Sequence, residues 1–185
     1  MRESCVQIGL KRQAGRLAVA MAIGVLLAAA PVAMAAEGNC ATNPHNRALD
    51  YWLGDWSVHG PGAAPTAGSR VSLALDGCVV VESWDGGRGH RGENVLAYSV
   101  DDKSWHGLFA DNEGRVHVFV DGRVDEGSAV FSAPSRGPNG ETILNRVEIN
   151  CLGTDRVEQV WKKSTDNGVT WSIEFHGEYF RKKTD

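Results

Sequence analysis

A long succession of short apolar runs, each ended by turn residues, limits the possible folds of this chain more than any other feature. The runs are rich in Val, Ile, Trp and Phe and recur about every 8 to 12 residues, a spacing typical of all-β sandwiches and barrels. The turns between them contain residues that tolerate the positive φ angles that tight hairpins need, and they lie at Asp76-Gly77, Asn112-Glu113-Gly114, Asp121-Gly122, Asn139-Gly140 and Asp166-Asn167-Gly168. We predict ten strands, at Gly54–His59, Ser69–Leu75, Val79–Trp84, Glu93–Val100, Ser104–Ala110, Val116–Val120, Ser128–Ala133, Thr142–Asn150, Arg156–Lys163 and Thr170–Arg181.

Ten strands joined mostly by hairpins form an up-and-down meander, and closure into a barrel removes its exposed edges. The predicted fold class is therefore all-β: a closed up-and-down antiparallel β-barrel of about ten strands, forming one domain over residues 36–185. A short helical turn from Pro44 to Leu53 precedes it, because Asn43 is a suitable cap before a proline. Period-two alternation in the last strand places five residues on the inner face: Trp171, Ile173, Phe175, Gly177 and Tyr179.

Residues 1–35 have the pattern of a signal peptide. A basic stretch precedes an apolar run at Leu17–Ala33, and Ala33-Met34-Ala35 offers the small-x-small pattern that signal peptidase accepts, so we expect cleavage after Ala35. The run also approaches the ~20 apolar residues that span a bilayer, so an uncleaved anchor remains an alternative. With cleavage, we expect a periplasmic or secreted protein without stable membrane insertion.

The charge of the mature chain bears on its partners. Removing four basic and one acidic residue from totals of 19 and 23 leaves 15 and 22, a net charge of −7. No basic stripe remains to neutralise phosphates, which excludes nucleic acid as a partner. We expect a monomer or a small homo-oligomer.

Three cysteines survive the predicted cleavage. In an oxidising compartment this count implies one disulfide and one leftover thiol, or three thiols. We favour a bridge between Cys40 and Cys78, which would close a loop of 38 residues, and a lone, buried thiol at Cys151.

The opening strand begins with Gly54-Asp55-Trp56, and Arg181 lies near the end of the closing strand. In a closed barrel these strands pair, so the arginine can stack on the indole and hydrogen-bond nearby carbonyls. This arrangement resembles the calycin signature of lipocalins and fatty-acid-binding proteins, which implies a lipocalin-like barrel.

A longer resemblance covers nearly the whole mature chain. It is carried by RALDYWLGDWSVHG, DGCVVVESW, DDKSWHGLFADNEG and VEQVWKKSTDNGVTWSIEFHGEYFRK. Together these stretches resemble an exported bacterial family of domains of unknown function, the DUF1579-like domains. The sequence departs from that family's pattern at Tyr51, Asp76, Gly107 and Phe109. The resemblance implies a calycin-like barrel and attaches no biochemical activity to it.

The segment from Ser164 to Trp171 matches the Asp-box pattern S-x-D-x-G-x-T-W found in sialidases and other β-propellers. The Asp166 side chain accepts turn N–H groups, Gly168 takes positive φ and Trp171 packs beneath, so the motif is structural. A single copy without a repeat of about 40 residues excludes a propeller.

Four aromatic residues are our candidates for the wall of a barrel cavity: Trp84, Trp105, Phe109 and Trp161. A ten-stranded barrel can enclose a small ligand, so the first hypothesis is that the protein binds a small hydrophobic molecule. Alternatively, the side chains fill the barrel, and the protein serves a structural or interaction role.

The enzyme alternative, an isomerase or hydrolase, depends on Glu82. This residue shares a face with Val80 and Trp84, and burial would raise its pKa and suit it to proton transfer, with His106 as a possible partner. The competing interpretation is a structural ion pair with Arg91, Arg146 or another arginine.

Histidines give no support to a metal or haem site. We expect His176 on the outer face of the last strand, and no spacing typical of zinc ligands occurs among the others, His45, His59, His90, His106 and His117. We therefore predict no metal and no cofactor, haem included.

Overall fold

The computed structural model describes residues 39–63 and 65–183, so the predicted signal peptide lies outside the described residues. A 3₁₀ helix at Asp50–Trp52 falls within the predicted helical turn. The strands of the described part are β1 (Gly54–His59), β2 (Pro65–Ala74), β3 (Val79–Gly87), β4 (His90–Ser99), β5 (Ser104–Asp111), β6 (Val116–Asp125), β7 (Ser128–Ser132), β8 (Ser135–Arg136), β9 (Thr142–Gly153), β10 (Arg156–Ser164) and β11 (Ser172–Arg181).

Ten of these strands form one closed antiparallel barrel. The order β10-β11-β1-β2-β3-β4-β5-β6-β7-β9 is completed by pairing of β9 with β10, and β8 adds two residues beside β9. The predicted fold class is confirmed, and only β8 was not predicted. Within the described ranges, no helix is long and apolar enough to span a membrane.

The two ends of the barrel differ. Alternate connections of an antiparallel meander lie at the same end, so the β3–β4, β5–β6 and β10–β11 hairpins share one end. The opposite end carries the β2–β3 connection and is closed by the N-terminal segment of residues 39–53, which we call the plug. Leu49 and Trp52 of the plug are fully buried. Tyr51 fixes this segment by donating a 2.9 Å hydrogen bond to the Ile149 carbonyl. The barrel is therefore plugged at one end and has its free space toward the other.

Arg181 joins the first and last strands at the plugged end. It lies opposite Trp56 in the β1–β11 register, and its guanidinium stands 4.2 Å above the Trp56 ring. The same group donates a 2.7 Å hydrogen bond to the Leu53 carbonyl. The predicted contact between Arg181 and the opening strand is thus present.

Gly54 makes that contact possible, and Gly54→Ala is expected to lower the free energy of unfolding by about 2 kcal/mol. Its φ is +131°, which strains any other residue, and an added Cβ would collide with the Arg181 guanidinium. Urea denaturation measures the loss, with Gly114→Ala as control, because Gly114 also has positive φ but open space around it. Equal losses in the two variants would show that displacing Arg181 costs nothing.

A disulfide joins the plug covalently to the barrel. Cys40 and Cys78 form a disulfide with Cα atoms 4.8 Å apart, as predicted, and Cys78 directly follows the 3₁₀ turn Leu75–Gly77. Arg47 supports the same junction by donating a 2.6 Å hydrogen bond to the Gly77 carbonyl. The expected lone thiol at Cys151 is wrong, because this residue is not free.

The inner face of β11 differs in part from the prediction. Gly177 and Tyr179 are buried, but Trp171 and Ile173 are 39% and 60% exposed. The register skips Glu174, since Phe175 lies opposite Trp161 while Ile173 lies opposite Lys162. This bulge reverses the alternation toward the N-terminal end of β11, so Trp171 and Ile173 leave the inner face.

The predicted Asp-box hairpin connects β10 and β11. Asp166 accepts hydrogen bonds from the Thr170 N–H at 2.9 Å and from the Thr170 hydroxyl at 2.6 Å, and another from the Ser164 hydroxyl at 2.7 Å. Hydrogen bonds from Thr170 lower the pKa of Asp166 to about 2. Trp171 donates to the Gly168 carbonyl and covers the turn. The motif therefore stabilises the hairpin in which it lies.

Candidate cavity site

The described residues enclose a cavity of about 510 Å³ in the half of the barrel away from the plug. Aromatic rings form two walls. In the first, Trp84 of β3 and Phe175 of β11 meet edge to face at 6.0 Å. In the second, Phe109 and Phe119 each pack 5.9 Å from Trp161. Most of the surface offered to an occupant is thus apolar.

The base of the cavity is polar and centred on Glu82, which is 2% exposed. Ser69 of β2 donates a 2.7 Å hydrogen bond to its Oε1, and the Tyr179 hydroxyl lies 3.2 Å from the same oxygen. Asn94 of β4 also hydrogen-bonds the carboxyl group. Tyr179 makes a second, very short hydrogen bond to Gln159 Oε1.

Burial raises the pKa of Glu82 to about 7, although hydrogen bonds from Ser69 and Asn94, and from Tyr179 whenever its proton points to this carboxyl group, partly oppose the shift. The number of protons available for hydrogen bonds around Glu82 also favours its neutral, protonated form. A tyrosine hydroxyl has one proton, so when Tyr179 donates to Gln159, its contact with Glu82 becomes a hydrogen bond only if Glu82 donates. Burial raises the pKa of Tyr179 well above 10, which keeps that proton in place.

His117 of β6 lies in the second wall, 4.6 Å from the Trp161 ring. Burial and the nearby Arg115 charge lower its pKa, so the imidazole is neutral at pH 7. Its Nδ1 is buried and has no hydrogen-bond partner among the described residues. The wall therefore includes one polar atom available to an occupant.

A charged cluster lies at the open end. His90, Asp111 and Glu113 bring three possible metal-ligand atoms within 4.8 Å of one another. Arg115 already supplies a cation there, because it lies 2.7 Å from Asp111, 2.6 Å from Glu113 and 3.1 Å from His90. Burial opposes ionisation of Asp111, but hydrogen bonds from Arg115 and His90 hold its pKa well below the usual range. The geometry is that of an ion-pair cluster.

Three of the four predicted wall residues line the cavity: Trp84, Phe109 and Trp161. Trp105 does not line it, but is 3% exposed in the core and packs edge to face with Tyr98 at 6.1 Å. Phe109 and Trp105 both face inward at different levels of β5, and the level nearer the plug is filled.

The candidate acid–base pair is not brought together. His106 lies on the other face of β5 from Trp105, and its Nε2 is 2.6 Å from Asp102 and 2.8 Å from the Ser104 hydroxyl. His176 similarly contacts Glu158 at 2.9 Å instead of lining the cavity. In the described ranges, no arginine contacts Glu82, and Arg146 pairs with Glu148 at 3.1 Å.

Sequence reasoning missed the other polar residues of the cavity base and of the second wall: Ser69, Asn94, Gln159, Tyr179 as a hydrogen-bonding group, and His117. Each lies at an inward position of its strand, and a polar residue there was the available signal. The strands β6 and β10 alternate imperfectly, which hid their inner faces.

Comparison with models of known protein families and with curated proteins gives no significant match to this chain. Membership of the DUF1579-like family stays a prediction from the motifs. The functional proposal therefore depends on the cavity and its lining.

Proposed function

We propose that the protein is an exported barrel that binds one small, largely apolar molecule in its cavity. The observation that carries this proposal is the cavity of about 510 Å³, which is within the ~300–1,000 Å³ typical of small-molecule sites. The aromatic walls supply apolar contact area, and the polar base can orient a ligand. Such a space argues against a barrel filled by its own side chains.

Export to the periplasm or secretion is supported by the Cys40–Cys78 disulfide, because structural disulfides persist in oxidising compartments. It agrees with the signal-peptide pattern of residues 1–35 and with the DUF1579-like resemblance. The enzyme alternative is weaker, because His106 lies outside the cavity that contains Glu82. We therefore favour binding over isomerisation or hydrolysis.

Fluorescence titration with the neutral apolar dye N-phenyl-1-naphthylamine tests the proposal. We expect saturable binding of one dye per chain, and about tenfold weaker binding by Trp84→Ala, because the dye loses an aromatic wall. Trp171→Ala is the matched control, since this tryptophan lies on the β10–β11 hairpin outside the cavity lining. Absence of saturable binding, or equal weakening by both variants, would contradict a cavity site.

A further inference from the structure

The base of the cavity contains a buried hydrogen-bond acceptor without a partner. Asn94 is 3% exposed and lines the cavity. Its side chain hydrogen-bonds the Glu82 carboxyl, while its Oδ1 is buried and has no hydrogen-bond partner within the described ranges. Buried polar atoms are nearly always satisfied, so an acceptor left open in a cavity indicates a group that arrives with the occupant.

The other polar groups of the base are used among themselves. Ser69 donates its proton to Glu82, and Tyr179 uses its proton on Gln159. These contacts leave the base with an open acceptor, Asn94 Oδ1, beside the oxygens of Glu82. An occupant with an N–H or O–H group can donate a hydrogen bond to this base. An occupant with a carboxylate would instead place its oxygens, which only accept hydrogen bonds, against the acceptor oxygen of Asn94.

The strand register sets what lies next to Asn94. Glu82, Asn94, Phe109 and His117 are successive cross-strand partners in β3, β4, β5 and β6. Direct partners share a face, with Cβ atoms about 4.5–5.5 Å apart. Phe109 therefore lies between Asn94 and His117 in the register, and its ring packs over Gly92, the next inward position of β4 toward the open end. An occupant that reaches Asn94 lies against an aromatic surface.

We propose that the cavity selects flat aromatic molecules that donate an N–H or O–H to Asn94 Oδ1 while the ring packs against Phe109. Phenols, indoles and aryl amines have this chemistry. The inference rests on the proposed function and narrows its ligand class. Asn94 is the residue that sets the preference, and Glu82 holds the Asn94 amide in place.

Three bicyclic probes of nearly equal size test the preference by calorimetric titration: naphthalene, 2-naphthol and quinoline. At about pH 6, below the pKa of Glu82, we expect 2-naphthol to bind about tenfold more tightly than naphthalene, through the added hydrogen bond. Quinoline, which only accepts hydrogen bonds, should bind more weakly than naphthalene. Equal affinities, or quinoline as the tightest probe, would overturn the donor preference and leave cavity binding intact. Failure of all three probes to bind would contradict the proposed function itself.

Variants assign the preference to one atom. Asn94→Leu keeps the approximate shape and removes the acceptor, so it should bind naphthalene and 2-naphthol equally well. Asn94→Asp retains an acceptor and should still prefer 2-naphthol, which keeps the test decisive if the leucine variant does not fold. Asn139→Leu, at an exposed hairpin, is the matched control and should retain the full tenfold difference. A tenfold preference that survives in Asn94→Leu would overturn the assignment to Asn94.

Discussion

Replacing Cys40 and Cys78 together by alanine is expected to lower the free energy of unfolding by about 4 kcal/mol. The disulfide spans 38 residues, and cutting it releases that loop in the unfolded chain, which gains conformational entropy. In the folded protein, the bond also fixes the N-terminal plug against the β2–β3 connection. This loss is a large part of the roughly 5–15 kcal/mol by which a domain is stable.

Urea denaturation of the double variant and the wild-type chain measures this loss. The denaturant slope should increase, because the uncrosslinked unfolded chain exposes more surface. The disulfide lies at the plugged end, opposite the cavity mouth, so dye affinity of the folded variant should match the wild type. A loss below about 1 kcal/mol would mean that plug packing, with Trp52 fully buried, holds the segment without the crosslink.

The barrel was predictable from local signals. The predicted and observed bounds of the first strand, Gly54–His59, agree, because apolar alternation and flanking turn residues act over a few positions. The same signals misplace irregularities within strands. Asp121-Gly122 was predicted as a turn, but β6 runs through it to Asp125, with a register shift between Val120 and Arg123. Residues that tolerate positive φ occur both in β-bulges and in hairpin turns, so their presence in the sequence does not tell which of the two structures forms.

The site was less predictable than the fold because its parts are far apart in the chain. Glu82 and Tyr179 are separated by 97 positions and meet only when the barrel closes. The aromatic residues could be proposed individually from size and apolarity, whereas the partner of a buried polar group depends on register. Glu82 was recognised as a buried carboxyl, but its predicted arginine partner is replaced by Ser69, Asn94 and Tyr179.

Glu82 is also the basis of the second large effect, a loss of stability as the pH rises. Burial raises its pKa from 4.5 to about 7 in the folded protein. Between these values the folded state retains a proton that the unfolded state has released. The free energy of unfolding therefore falls with increasing pH. The contribution is fully present below about pH 4.5 and is lost as the pH rises through about 7.

The shift corresponds to about 3 kcal/mol at 1.36 kcal/mol per pKa unit. Glu82→Gln isolates it, because glutamine resembles the protonated acid and does not titrate. We expect the variant to match the wild type near pH 4 and to be about 3 kcal/mol more stable near pH 8. Chemical denaturation at several pH values measures the difference between the two proteins.

The charge of the neighbouring Glu93 adds to the raised pKa of Glu82, but the other groups facing Glu82 do not produce this difference. Ser69, Asn94 and Gln159 do not titrate, and the pKa of Tyr179 is raised far above the range tested. Glu126→Gln is the matched control, since Glu126 is exposed at the β6–β7 turn and does not act on Glu82. A pH-independent difference for Glu82→Gln would mean that the cavity base holds an ionised carboxylate throughout, and an equal trend in Glu126→Gln would mean that the pH dependence does not arise at Glu82. The proposed ligand class assumes that the cavity base is uncharged and accepts a hydrogen bond from the occupant. It therefore requires that the stability advantage of Glu82→Gln increase with pH, so this measurement also tests the ligand class.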